Sequence, residues 1–230
     1  MELIISLVIT FALVLLLRKP IRNYPVVFYV LLVAIDILFL SGVLFGVSRE
    51  VAVIGYPYVV RCLVGISLFA IVMYIGALGD DNRIRRMLMP IRGELSVMAC
   101  ILTFGHVANY LRAFIQDILG GFFGMPIAMV LSLVVSAVLI VLLIPLAIAS
   151  LNSVKGKMAV ASWKKLQKLS YAFYGLTYVH IVLMLVPTIS STGQRAALSL
   201  VIYTALFGVY AVMRVAKSMR GKRVESEVAA

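Results

Sequence analysis

Residues 123–150 read FGMPIAMVLSLVVSAVLIVLLIPLAIAS, without a single charged side chain. A stretch of about 20 apolar residues is long enough to cross the hydrocarbon core of a bilayer as a helix. Similar stretches recur along the chain of 230 residues, which is 63% hydrophobic and 13% charged. A soluble domain of this size cannot bury so much apolar surface in one core. The chain is therefore predicted to be an all-α integral membrane protein.

The apolar runs predict a helical bundle of about seven transmembrane helices, with no domain-sized loop between them. The runs occupy residues 2–17, 25–47, 56–78, 93–115, 123–150, 165–189 and 196–216. The first run contains LIISLVITFALVLLL and could also be a signal peptide. It has no basic residue before it and no small-residue cleavage site after it, so we expect an uncleaved span.

The basic residues predict the orientation of the chain. Most of the 21 lysines and arginines fall in every second connection, within residues 18–22, 83–92, 155–168 and 214–223. Cytoplasmic loops are enriched in such residues, so the N-terminus should lie outside and the C-terminus in the cytoplasm. We expect the protein in the inner, cytoplasmic membrane of the cell. The net charge of +12 is then explained by topology and by contact with anionic lipid headgroups, and we expect no nucleic-acid partner.

The sequence contains no acid–base constellation, activated nucleophile, phosphate-binding loop or cysteine-rich metal motif. The two cysteines, Cys62 and Cys100, both fall inside predicted spans. We expect them to be small apolar packing residues, neither disulfide-bonded nor metal-ligating. Any chemistry must therefore come from a bound cofactor or from a partner protein.

Ionisable side chains inside spanning helices are candidates for function, because hydrocarbon makes them costly to bury. The candidates are Asp36, Arg61, His106, Arg112 and His180.

The two histidines of the chain are predicted to lie at the same depth. His106 follows Arg92 by 14 residues and His180 follows Lys168 by 12, on two spans that run in the same direction. At 1.5 Å per residue both imidazoles should lie about 18–22 Å above the cytoplasmic edge, in the outer half of the bilayer. Two imidazoles that face each other can ligate a haem iron. They could instead be interhelical hydrogen-bonding residues, or one could belong to a proton path.

The remaining charged candidates allow two interpretations each. Arg61 and Arg112 could pair with haem propionates or extend to lipid headgroups. Asp36 could form a buried ion pair with Arg61, or it could belong to a proton route.

Two segments carry a resemblance to a known family. WKKLQKLSY, residues 163–171, with His180 following Gln167 by 13 residues, resembles the W-x-x-L-H-x-x-x-Y segment of the YedZ/MsrQ family. RGELSVMACILTFGHVANYL, residues 92–111, resembles that family's R-R-x-L-G-L…H-x-x-x-Y segment, and NSVKGKMAVASW, residues 152–163, resembles its cytoplasmic approach to the later helix. The resemblance covers roughly residues 50–217.

This family belongs to the ferric-reductase-like transmembrane domains, with the NADPH oxidases and STEAP reductases as more distant relatives. The resemblance implies a six-helix core at residues 25–217, preceded by an added helix and cytoplasmic loop at 1–24 and followed by a cytoplasmic tail at 218–230. It also implies a haem b electron conduit, with His106 and His180 as axial ligands. The donor would be a cytoplasmic flavin reductase or quinol, and the acceptor an extracytoplasmic redox partner such as a methionine sulfoxide reductase.

Gln167 departs from the family pattern. YedZ-type members keep a histidine there, and the wider superfamily can hold a second, inner haem at the positions that match Arg92 and Gln167. A glutamine amide is a poor haem ligand, so we predict one haem. The inner site could instead hold FMN or FAD, or quinol, near Gln167, Arg92, Lys164 and Lys165, or Gln167 could be an inert polar residue.

The predicted function is transmembrane electron transfer through one bis-histidine haem b, in the membrane subunit of an oxidoreductase system. The alternative is a small transporter or proton pathway that uses Asp36, Arg61 and the histidines without haem. An absorption spectrum separates the two, because only the first has a haem band.

Overall fold

The structure, a computed structural model, describes the backbone of residues 1–228 and the side chains of residues 1–189 and 193–220. This part of the chain is all-helical, as predicted, and contains no strand. Its helices are α1 (Glu2–Asn23), α2 (Pro25–Leu40), α3 (Val43–Val47), α4 (Arg49–Val59), α5 (Leu63–Ala77), α6 (Arg83–Leu88), α7 (Arg92–Leu119), α8 (Ile127–Ser150), α9 (Asn152–Lys155), α10 (Val160–Gln167), α11 (Leu169–Thr192) and α12 (Gln194–Val228).

The chain is a multi-pass membrane protein. Within the described residues, 6 helical segments are long and apolar enough to cross a membrane: Glu2–Asn23, Arg49–Ala77, Arg83–Leu119, Ile127–Ser150, Val160–Ile189 and Gln194–Arg220. Helix α2 is also apolar but has 16 residues. It is therefore about 24 Å long, whereas the hydrocarbon core is about 30 Å thick. The predicted count of seven spans is not confirmed.

Two of the predicted spans are broken in the structure. The run 25–47 divides at Gly42, which has a φ of 73° between α2 and α3. The run 56–78 divides at Cys62, whose φ of 60° separates α4 from α5. The run 25–47 has no charged residue at its break, and the run 56–78 has the single charge of Arg61 next to Cys62. Hydropathy reports which solvent a segment favours and carries no information on backbone conformation. The breaks could therefore not be predicted from hydropathy.

Helix α5 is the centre of the bundle. It reads LVGISLFAIVMYIGA, has no charged residue, and is buried on all sides. Helices α1, α4, α7 and α12 pack against it. A helix that is apolar all round is stable only when neighbours or lipid cover every face. Leu68 and Ile75, which are 2% and 1% exposed, lie in its packed interior.

The outer helices leave apolar side chains uncovered by protein. Val141 on α8 is 69% exposed, and Val201 and Val212 on α12 are 64% and 70% exposed. In a spanning segment these side chains contact lipid, because hydrocarbon is the favourable solvent for them. The prediction of contact with membrane lipid is therefore confirmed for the helix faces.

Hydrogen bonds between helices fix the position of α5 in the bundle. The Ser67 hydroxyl lies 3.1 Å from the Ser6 hydroxyl on α1, and it donates to the Leu63 carbonyl at 2.7 Å. The Tyr74 hydroxyl donates to the Leu206 carbonyl on α12 at 2.6 Å. These bonds satisfy polar groups that would otherwise be costly in an apolar interior.

Helix α12 continues past the membrane-spanning stretch to Val228. The predicted cytoplasmic tail, residues 218–230, therefore has a helical backbone as far as Val228. Residues 229 and 230 of that segment lie outside the described residues.

Candidate functional site

A cavity of about 580 Å³ lies between α7, α8 and α11 and is lined by both His106 and His180. A smaller cavity of about 140 Å³ is lined by the same two histidines. We call the two together the histidine cavity. Binding sites for cofactors and other small molecules usually measure about 300–1,000 Å³, so the main part of this space has the size of a small-molecule site. The structure thus brings together the two histidines that the sequence placed at equal depth.

The orientation of His106 depends on the break at Cys62. Helix α4 ends at Val59 and α5 begins at Leu63, so the Val60 carbonyl falls between the two helices. This carbonyl lies 2.8 Å from Nδ1 of His106. A carbonyl oxygen can only accept a hydrogen bond, so Nδ1 must carry the proton. The lone pair of the neutral ring is then on Nε2.

His180 has hydroxyl groups as partners where His106 has a carbonyl. Its Nδ1 lies 2.9 Å from the Ser132 hydroxyl and 3.1 Å from the Ser136 hydroxyl, both on α8. Ser136 donates its own proton to the Ser132 carbonyl at 2.8 Å, so its oxygen accepts from Nδ1. This pattern favours the same tautomer as in His106, with a lone pair on Nε2.

Both imidazoles therefore have the hydrogen-bonding pattern of metal-ligating histidines, which usually donate the N–H of one nitrogen and ligate through the other. Among the described residues, no group of three or more His, Cys, Asp and Glu side chains could hold a metal ion. Two neutral nitrogens alone are a poor site for a free ion. They suit a metal whose other ligands belong to a macrocycle, as in haem.

The lining of the histidine cavity is mostly apolar. The Tyr110 ring packs against His106, with centroids 4.7 Å apart, and Phe114 stacks on Tyr110 in turn. Val107, Ile140 and Ile181 line both parts of the cavity. Such a lining excludes water and provides flat surfaces for a planar ligand.

The two arginines predicted as propionate partners lie in different places. Arg61 lines both parts of the histidine cavity, with its guanidinium 6.0 Å from the Tyr56 ring centroid. Arg112 is exposed, does not line the cavity, and donates to the Leu40 carbonyl at 3.1 Å. Only Arg61 is therefore positioned to meet a charged group of a ligand in this cavity.

The predicted ion pair between Asp36 and Arg61 is wrong. Among the described side chains no ion pair includes Asp36, whose residue is 7% exposed and whose Oδ1 has no hydrogen-bond partner there. The carboxyl group lies against Gly105 on α7, where any side chain would overlap it. Arg61, the residue before the break at Cys62, lines the histidine cavity instead.

A second predicted site lies near the start of α7. Arg92 and Gln167 line two small cavities there, of about 40 and 80 Å³, which we call the Arg92–Gln167 region. Nε of Arg92 donates to the Val72 carbonyl at 3.1 Å. Lys164 and Lys165 are exposed and line neither cavity. The space is well below the usual size of a cofactor pocket, so a flavin does not fit here.

Three partners of the histidines were not found from the sequence: Val60, Ser132 and Ser136. The two serines had a usable signal, because they are spaced four apart and are the polar residues in the middle of the run 123–150. Residues four apart share a helix face, so the two serines could have been predicted to bind the same side chain on a neighbouring helix. The Val60 carbonyl had no such signal, because it depends on a backbone break.

The two cysteines are both free, as predicted. Cys100 is buried in a cluster with Leu143, Leu146 and Phe173. Cys62 lies at the helix break within the segment Arg49–Ala77, with its sulfur 3.7 Å from the Thr103 hydroxyl.

The fold and site define an all-helical, multi-pass membrane protein with an apolar two-histidine cavity. A protein of Treponema pallidum (strain Nichols), described as an uncharacterized protein, is 32% identical to this chain over 226 residues. The match covers 97% of this chain and 62% of the relative, so the chain spans about three fifths of the relative's length. No protein-family model matches the chain, and no solved structure matches it. The resemblance to the YedZ/MsrQ family is not tested by these matches and stays a prediction.

Proposed function

We propose that this protein carries electrons across a membrane through one haem b, with Nε2 of His106 and Nε2 of His180 as the axial ligands. The observation that supports this most is the hydrogen-bonding of the two rings. Nδ1 of His106 donates to the Val60 carbonyl, and the hydrogen bonding of Ser136 favours donation from Nδ1 of His180. This pattern puts the lone pair of each imidazole on Nε2, and both imidazoles line the same cavity.

The remaining residues of the cavity suit such a ligand. Apolar side chains would enclose the macrocycle and exclude water from the iron. Arg61 would offset the charge of one propionate. When bound, haem would supply one-electron oxidation and reduction, and the protein would supply ligation, insulation and orientation.

The donor and acceptor are proposed from the resemblance. The donor is a cytoplasmic flavin reductase or a quinol, and the acceptor is an extracytoplasmic redox partner. A flavin held within the chain is not part of the proposal, because the cavities of about 40 and 80 Å³ in the Arg92–Gln167 region are too small for it.

The alternative of a transporter or proton path has less support. It requires Asp36, Arg61 and the histidines to act together, and Asp36 does not line the histidine cavity.

The absorption spectrum of the purified full chain tests the proposal. After expression with adequate haem, the reduced-minus-oxidised spectrum should show the α-band of a six-coordinate b haem. Pyridine haemochrome analysis should give about one haem per chain. The variants His106→Ala and His180→Ala should each lose the band while still inserting into the membrane.

Gln167→Ala is the matched control, because Gln167 lies on α10 outside the histidine cavity. This variant should keep the band at full strength. Absence of the band in the wild-type chain would refute the proposal, and a normal band in either histidine variant would refute the ligand assignment.

A further inference from the structure

An apolar groove of about 450 Å³ lies between α1, α5, α6 and α12, away from the histidine cavity. Leu7, Val8 and Phe11 line it from α1, and Ile71 and Ile75 line it from α5. Val8 is 61% exposed, so the groove opens on the lipid-facing surface of the bundle. Helices α1 and α5, which line the groove, pack against each other, and an exposed apolar groove of this kind suits an apolar ligand such as a hydrocarbon chain.

One end of this groove is basic. Leu78 and Ile84 line that end, and the residue after Ile84 is Arg85. Lys217 on α12 donates to the Leu78 carbonyl at 2.6 Å and to the Gly76 carbonyl at 3.1 Å. Arg85 forms an ion pair with Asp80, and Lys217 lies 3.9 Å from the same carboxylate. The apolar groove and the two cations are therefore continuous in space.

Two further cations lie close to this pair. A guanidinium nitrogen of Arg92 lies 3.7 Å from the position that a Cβ on Gly76 would occupy, next to the carbonyl that Lys217 binds. Arg214 lies one helical turn before Lys217, with its guanidinium 4.9 Å from the Tyr171 ring centroid. Arg85, Arg92 and Arg214 are each close enough to Lys217 to repel its positive charge, and Asp80 is close enough to attract it.

The charges in this cluster do not balance. Asp80 is the one carboxylate in an ion pair with Arg85 and Lys217 among the described side chains, and it is 78% exposed to solvent, whereas the side chains of Arg85 and Lys217 are 21% and 28% exposed. Other basic residues on the same helix, Arg83 and Arg86, are exposed, and solvent can satisfy their charges. Partly buried cations without a matching anion are costly, so this cluster is suited to an external anion.

We propose that one anionic phospholipid binds here, with its phosphate between Arg85 and Lys217 and an acyl chain in the groove. A phosphate accepts several charge-assisted hydrogen bonds from Arg and Lys. Basic pockets between transmembrane helices commonly bind lipid headgroups, and the apolar groove accounts for the rest of the molecule. A quinone also has an apolar tail but carries no charge, and free phosphate has no apolar part.

Native mass spectrometry of the full chain in detergent tests the proposal. Phosphatidylglycerol is added to one sample, and phosphatidylcholine with the same acyl chains to another. We expect a one-to-one phosphatidylglycerol complex at concentrations at which phosphatidylcholine gives none. Equal binding of the two lipids would refute recognition of the negative charge.

The double variant Arg85→Gln/Lys217→Gln should bind phosphatidylglycerol about 30-fold more weakly, because each cation contributes to attraction of the anionic headgroup. The matched control is Arg83→Gln/Arg86→Gln, which removes the same charge from exposed positions and should bind normally. Equal loss in both double variants would show attraction to net charge only and would overturn the site. Arg85→Gln alone, which leaves the Lys217 bonds to α5 intact, should bind several-fold more weakly and serves if the double variant does not fold.

The groove has its own test. Val8→Trp places a large ring at the mouth of the groove, whereas Leu13→Trp places it elsewhere on α1, where Leu13 is 48% exposed. Only Val8→Trp should weaken phosphatidylglycerol binding. Inorganic phosphate added at the same concentration should not displace the lipid. If phosphate does displace it and Val8→Trp binds the lipid normally, the site binds a free anion and the proposed role of the groove is wrong.

Discussion

The histidine cavity and the Arg92–Gln167 region are built on the same two parts of the chain, α7 and the α10–α11 segment, yet they differ in volume by several-fold. The first measures about 580 Å³ in its main part, and the second consists of spaces of about 40 and 80 Å³. Both contain residues that the sequence associated with cofactor binding. The difference shows that the residue type at a position does not decide how much space surrounds it.

The packing around each region explains this difference. Near Gln167, the Trp163 indole donates to the Ala149 carbonyl at 3.1 Å and Arg92 donates to the Val72 carbonyl at 3.1 Å, so large side chains fill the space between helices. Around His106 and His180 the partners are a backbone carbonyl and two serine hydroxyls, which are small. The small partners leave the interior open while holding the rings.

Filling the histidine cavity should have the largest effect. Val107 lines both parts of it, so Val107→Trp should reduce bound haem at least tenfold, because the added ring occupies the volume that the macrocycle needs. The measurement is haem per chain after purification. Ala108→Trp, which adds the same ring to an exposed position on the same helix, should leave the haem content unchanged.

Loss of a hydroxyl partner should have an intermediate effect. Ser132 is 1% exposed and its hydroxyl lies 2.9 Å from Nδ1 of His180. Ser132→Ala should weaken haem binding about tenfold, since removal of a residue that orients a metal ligand typically costs that much.

A shift in the haem reduction potential should accompany the weaker binding, which separates an effect on the ligand from a general loss of stability. Ser199→Ala on α12, a half-buried position outside the histidine cavity whose hydroxyl bonds within its own helix, should change neither value. If Ser132→Ala also changes neither value, the orienting role of Ser132 is wrong.

Introducing the histidine that the YedZ/MsrQ pattern has at position 167 should have the smallest effect. Gln167→His supplies an imidazole but no space, so haemochrome analysis should still give about one haem per chain. Two haems per chain in this variant would show that residue type alone limits the second site, and would contradict the comparison of the two regions.

The candidate site was predictable in part. His106 and His180 could be paired because helical rise converts sequence position into depth, and depth is one of the few coordinates that a membrane imposes on a chain. Arg61 was selected by its charge, and it does line the cavity. Its supposed partner Asp36 was selected in the same way, but depth says nothing about which helix faces which, and Asp36 packs against Gly105 instead.

The amino-acid sequence was sufficient to establish an all-helical membrane protein and the pair of histidines, because hydropathy and helical rise act locally along the chain. It was not sufficient for the number of spans, the tautomers of the rings or the size of the two regions. Those depend on the break at Cys62, which frees the Val60 carbonyl for His106, and on side chains from separate helices that fill or leave space. Such contacts join residues far apart in sequence, so only the tertiary structure could decide them.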